Sequence, residues 1–282
     1  MTDVTDETIA ITGCGWITPA AAGSIKQILA GGTAAPTQPP PNGPYRPVPD
    51  EILDEFAPAS KECRVDGAAR LAATAFELAR SDAGLSSDAI APERLGLVLG
   101  CSLSGQMGMI DFADDVREQS ARFVSPIRFP QTVGNYVSGA LARAFAIGGP
   151  NVTIACGAAS GSEAILEARA LLARGEADVV VAGASERLTD ALVRGLEGFQ
   201  ESCSASHVSR FLAKGRKREI PQHTGTGATS AAGGNVVSEG ACMFVLERWA
   251  NASKRGAHAL AFVTAPSKNA TTRDGTAASD PI

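Results

Sequence analysis

Residues 149–161 read GPNVTIACGAASG, and the way this stretch begins, turns and continues decides the fold. Val152–Ala155 is a compact apolar run of the kind a buried strand uses. The small residues Gly157 to Ser162 then let a helix begin very close to the strand end. Beyond the turn, Ala164, Ile165, Ala168, Leu171 and Leu172 fall at helical spacing and make one apolar stripe. Gly175 stands where a helix C-cap wants it. Asp178–Gly183 (DVVVAG) follows as a second buried strand. Strand, tight turn, helix, strand is the repeating unit of an α/β sheet.

Working outward, the same compact runs recur at Thr8–Gly13 (TIAITG), Leu95–Gly100 (LGLVLG), Cys242–Glu247 (CMFVLE) and Leu260–Val263. A helix covers Gly67–Arg80, with Leu71, Ala75, Leu78 and Ala79 on one side. These elements predict an α/β domain, a mixed and mostly parallel sheet covered by helices, over residues 1–266. Three stretches read as irregular. Pro36–Pro49 holds seven prolines in fourteen residues and is an extended surface segment. Thr224–Gly234 is rich in small polar residues and reads as a loop. Residues 267–282 read as a disordered tail. There is no internal repeat.

Composition excludes several classes. Of 282 residues, 44% are hydrophobic and 20% charged, an ordinary balance for a folded chain. The formal net charge of −5 argues against a phosphate-neutralising surface, so no nucleic acid partner is expected. No apolar run reaches the roughly 18 residues of a membrane span. The start, MTDVTDETIAITG, lacks the basic and apolar regions of a signal peptide, and a cytoplasmic protein is expected. The six cysteines are scattered singly, and the three histidines form no pair at ligand spacing. No metal and no cofactor is expected.

Two local motifs invite stronger readings and do not support them. Gly13-Cys14-Gly15 follows a strand, but Thr18 replaces the third glycine of a dinucleotide fingerprint and Pro19 stands where its helix should run. That segment reads as a structural turn. Ser160 in GAASG resembles a serine nucleophile elbow, yet Ala158 replaces its leading glycine, and no acid–histidine pair follows. It reads as a tight strand-to-helix junction. His223 in HTGTG reads as a solvated loop histidine.

Five segments in series resemble the β-ketoacyl synthases of fatty acid and polyketide synthesis. They are Ile11–Pro19 (ITGCGWITP), Ser125–Gly139 (SPIRFPQTVGNYVSG), Gly149–Gly161 (GPNVTIACGAASG), Gly175–Glu186 (GEADVVVAGASE) and Glu239–Glu247 (EGACMFVLE). The resemblance implies a thiolase-like fold, in which two related α/β halves pack face to face, and this chain is similar to the N-terminal half. Two departures matter. The position of the family's nucleophilic cysteine is occupied by Ala158, and Cys156 lies two residues too early. A two-residue slip there moves a side chain well beyond the roughly 3 Å reach needed for attack. The chain is also expected to lack the second half, which in the family brings two histidines and a glycine-rich gate.

The resemblance therefore implies a non-catalytic subunit of the chain-length-factor type. Such a subunit pairs with an active ketosynthase, or with a second copy of itself, and helps shape the acyl tunnel. The alternative is an acyltransferase or condensing enzyme, active through Cys156 or completed by a separate chain. On the first reading Asn151, Val152, Thr153 and Ile154 form the dimer strand. Phe129, Gln131 and Thr132 reach toward the partner's tunnel, with Ala158 at the substrate site; for Phe129 a plain core role is the competing reading. Arg210, Lys214, Arg216, Lys217 and Arg218 put five cations within nine residues. They read either as a solvated loop or as a docking patch for an acidic acyl carrier protein.

Overall fold

The computed structural model describes residues 8–19, 22–24, 45–56, 63, 67–103, 106–189, 193 and 237–264. The strands are β1 (Ile9–Ile17), β2 (Ala22–Ser24), β3 (Tyr45–Arg46), β4 (Leu95–Gly100), β5 (Asn151–Ile154), β6 (Val179–Glu186), β7 (Val237–Ser238), β8 (Gly240–Arg248) and β9 (Ala261–Val263). The helices are α1 (Asp50–Phe56), α2 (Gly67–Asp82), α3 (Gln106–Gln119), α4 (Tyr136–Ala144), α5 (Ser160–Arg174) and α6 (Trp249–Lys254). Seven strands make one sheet in the order β2-β1-β8-β6-β4-β5, with β9 beside β2 on the outer edge of β1. The pair β3–β7 stands apart from it.

The inner strands are apolar on both faces because both faces are covered. Leu97, Leu99, Val179 and Val181 pack with α2 and α4 on one side. Val98, Val180 and Ala182 pack with α5 on the other. The stripe read on residues 164–172 supplies Ala164, Ala168, Leu171 and Leu172 to that second core. The helix ends at Gly175 with φ 74°, a left-handed cap that L side chains adopt rarely, and its N–H bonds Leu172 O at 3.0 Å.

Two expectations are corrected. The sheet is mixed, as read, but parallel pairing is confined to β4 with β5 and β4 with β6. The pairs β6–β8, β8–β1, β1–β2 and β1–β9 are antiparallel, so parallel pairing does not dominate. Helical crossovers dictate direction only between the strands they join; β1 meets β8 from more than two hundred residues away, and nothing local signals its direction. The second correction concerns Gly13-Cys14-Gly15, which lies inside β1 and is not a turn. Its glycines serve close packing against the alanine-rich α2. A Cβ on Gly13 would fall 2.3 Å from Ala79 O, and one on Gly15 would fall 2.0 Å from Ala75 O.

The segment 224–234 and the tail 267–282 lie outside the described residues, as does the proline-rich segment up to residue 44. Among the described residues no helix is long and apolar enough to cross a membrane.

Candidate functional site

The site grows from the junction of β5 and α5. The chain leaves β5 through Cys156, turns at Gly157 with φ +70°, and passes through a short 3-10 turn, Gly157–Ala159, into the helix. Only glycine takes that backbone angle without strain. Ser160, 3% exposed, ties the turn together. Its Oγ accepts the Cys156 N–H at 3.0 Å and donates toward Gly157 O at 2.7 Å, with Cys101 O at 3.2 Å as a further acceptor. The β4 end comes equally close, since a Cβ on Gly100 would lie 2.5 Å from Ser160 O.

Two carboxylates brace the surrounding strand ends. Glu186, at the end of β6, accepts the N–H groups of Ser102 at 2.7 Å and Leu103 at 3.1 Å, which holds the chain leaving β4. Burial pushes its carboxyl above the usual range, and these two hydrogen bonds oppose that shift. Glu239, just before β8, accepts N–H groups from Val48 at 2.9 Å and Leu188 at 3.1 Å, with Arg187 3.7 Å away.

Between these elements opens a cleft of about 440 Å³. Its walls include Trp16, Ala158, Ser160, Glu186, Glu239 and Cys242. It sits past the carboxyl ends of β4 and β6, where open α/β sheets commonly bind ligands. Its lining is mostly apolar with a few polar groups, as ligand pockets commonly are.

The residues read from sequence divide sharply. Ala158 lies on the cleft wall, whereas Cys156 is exposed and is not part of that wall. Phe129 is 58% exposed and meets Phe112 edge-on with centroids 5.9 Å apart, so it is not core. Gln131 and Thr132 are half-buried in the 3-10 turn Pro126–Thr132, where the Thr132 hydroxyl donates to Phe129 O at 2.8 Å. None of these three lines the cleft. Asn151, Val152, Thr153 and Ile154 form β5, the last strand of the sheet. Arg210, Lys214, Arg216, Lys217, Arg218 and His223 lie outside the described residues. Sequence reading passed over Glu186, Glu239, Trp16 and Cys242 as site residues. The available signal was an acidic residue closing or opening an apolar strand, which says little until the strand ends are seen to converge.

A mixed sheet covered by helices, with a cleft at its strand ends beside a glycine turn at the head of a helix, defines an α/β protein with a pocket at the strand ends. The chain matches the model of the beta-ketoacyl synthase N-terminal domain over residues 6–252 and belongs to that family. It is 28% identical over 211 residues to a 3-oxoacyl-(acyl-carrier-protein) synthase 2 of Rhizobium meliloti, covering 74% of this chain and 48% of the relative. It is 28% identical over 278 residues to the tetracenomycin polyketide synthase ketoacyl synthase alpha subunit of Streptomyces glaucescens, covering 93% and 63%. The chain thus spans about half to under two thirds of the length of these curated relatives. Among solved structures, the ishigamide ketosynthase/chain length factor superposes with TM-score 0.68 at 17% identity, over 91% of this chain and 62% of that one. A type II polyketide acyl-carrier protein in complex with its ketosynthase gives 0.67 at 22% identity, over 92% and 67%. At such identities the likeness shows the fold, and it is the thiolase-like ketosynthase fold.

Proposed function

We propose that this chain is a non-catalytic, ketosynthase-like subunit that pairs with an active β-ketoacyl synthase of fatty acid or polyketide synthesis and helps shape the acyl tunnel. The observation that carries the reading is Ala158. On the cleft wall at the head of α5 the chain presents a methyl group, which cannot form an acyl thioester. Cys156, the thiol nearest in sequence, is exposed and stands off that wall.

Pairing is supported by surface left open. Phe123, Phe129, Met109 and Val133 are exposed at 71%, 58%, 56% and 42%. On the far side of the sheet's second core, Leu166 of α5 is 41% exposed. Exposed apolar side chains mark an interaction surface where they form a contiguous patch. The solved ketosynthase/chain length factor supplies a precedent for the type of partner, and the carrier-protein complex supplies one for the basic run at residues 210–218 as a docking patch. A second reading, an enzyme using Cys156 or completed by a separate chain, is favoured by the relatives, both of which are synthases by name.

One experiment separates the two. Tagged chain is co-expressed with an active ketosynthase, purified, and assayed alone and in complex for decarboxylation and condensation of malonyl thioesters. Co-elution in fixed proportion, with turnover confined to the complex, is the expected result. Turnover by the chain alone that disappears in Cys156→Ser overturns the reading.

A further inference from the structure

One part of the chain stands clear of both cores. From Gly108 to Tyr136 not one described residue is buried, although this stretch includes most of α3 and the 3-10 turn Pro126–Thr132. Helix and turn pack mainly on each other. A Cβ on Gly108 would fall 2.1 Å from Gln131 O, Phe112 meets Phe129 edge-on, and Asp115 pairs with Arg128. They form an arm that is coherent within itself and has no buried core to fix it against the sheet. The arm carries Met109, Phe123, Phe129 and Val133, the exposed side chains to which pairing is assigned.

The direction of the arm is therefore set where it joins the body. At its far end the Tyr136 N–H bonds Val133 O at 3.0 Å, and the chain runs into α4, whose Val137, Ala140 and Leu141 belong to the first core. At its near end the chain leaves β4 through Cys101, Ser102 and Leu103. Cys101 is still held by the body, its N–H bonding Ile154 O at 2.9 Å and its carbonyl accepting the Ser160 hydroxyl at 3.2 Å. Ser102 and Leu103 lie past the last strand pairs, Gly100 with Ile154 and Gly100 with Ala184. One side chain, Glu186, accepts both of their N–H groups, at 2.7 and 3.1 Å. Hydrogen bonds to an ionised carboxylate are about twice as strong as neutral ones. Glu186 is itself anchored as the last residue of β6, opposite Gly240 of β8.

We propose that Glu186 is the positioning residue for this arm. Its carboxylate holds the two residues at the arm's root, and so sets how the apolar side chains are presented to a partner. The same carboxylate lines the cleft, so cleft and arm meet at one side chain. The hold on the arm rests on the hydrogen bonds and the burial; its bearing on pairing rests on the subunit reading above.

The test follows backbone hydrogen exchange by mass spectrometry in the full chain, comparing peptides from residues 102–133 with peptides from α2 and β8. Glu186→Ala should speed exchange in the arm about tenfold and leave α2 and β8 as in the wild type. Glu186→Gln keeps one acceptor oxygen and should speed it only about threefold. The dissociation constant for the active ketosynthase of the co-expression experiment, measured by sedimentation, should rise in the same order. Phe129→Ser is the control, in which pairing weakens while exchange at Ser102 and Leu103 stays as in the wild type. Three results overturn the proposal: unchanged exchange in the arm of Glu186→Ala, loosening of α2 and β8 as large as that of the arm in Glu186→Gln, or wild-type affinity in a chain whose arm is loosened. The two readings fail separately. A wild-type chain that pairs, with an arm indifferent to Glu186, sinks only this inference. A chain that pairs with no ketosynthase, yet loosens at the arm in Glu186→Ala, sinks only the subunit reading.

Discussion

The two edges of the sheet are finished in opposite ways. At one, β9 pairs with Ile9–Ile11 and β2 with Gly15–Ile17, and in the gap between them Asp82 takes the Cys14 N–H. A bulge at Thr12 is fastened too, its hydroxyl donating to the buried Glu247, which Arg255 grips at 2.5 and 2.9 Å. At the other edge, β5 pairs only with β4 among the described residues. Leu97 N–H and Cys101 N–H bond Pro150 O and Ile154 O, so by strand alternation the backbone groups of Asn151 and Thr153 face outward. An unpaired strand edge is a template for another chain unless it is kept short, charged or covered. The comparison teaches that one edge is closed by described residues of the chain itself, whereas at β5 the described pairing ends with β4, the edge to which the proposed partner is assigned.

The largest test breaks the closed edge. Glu247→Ala leaves Arg255 and Thr12 facing a buried gap and should lower stability by about 3 kcal/mol, measured by urea unfolding. Thr153→Pro addresses the open edge. It deletes a donor that β4 does not use, so it should weaken dimer formation at least about tenfold in sedimentation while leaving the chain folded. A variant that assembles as wild type does would show that β5 is not an interface. Asp82→Ala should cost about 1 kcal/mol, the loss of one hydrogen bond to a part-buried N–H, with the thermal midpoint as readout.

The smallest effect is a pH dependence at Glu186, which braces the strand next to the open edge. A carboxyl whose folded-state pKa is raised binds its proton more readily when folded. The stability it contributes is present below the unfolded value of 4.5 and is lost as pH rises through that value toward the folded one. Glu186→Gln, which cannot titrate, should therefore gain on the wild type as pH rises from about 4 to about 7. A constant difference across that range would mean that hydrogen bonding to Ser102 and Leu103 balances burial, and a Gln variant that loses ground would mean that it outweighs burial.

The sequence by itself determined the elements whose pattern is local. The strands at 95–100, 151–154, 179–186, 240–248 and 261–263 and the helices at 67–82 and 160–174 follow from apolar runs, helical spacing and a capping glycine, which act between near neighbours. The family, too, was legible in five short segments. Tertiary structure alone decided the rest. Gly13 and Gly15 read as a turn until the backbone of α2 is seen pressed against β1, a contact made by residues sixty or more positions away. Antiparallel pairing of β1 with β8, and with it the place of Trp16 opposite Cys242, depends on which strands become neighbours. Glu186 gained its place because the ends of β4 and β6 converge on one cleft. Local order is encoded in spacing along the chain, whereas a site is made by distance through space, and only packing converts one into the other.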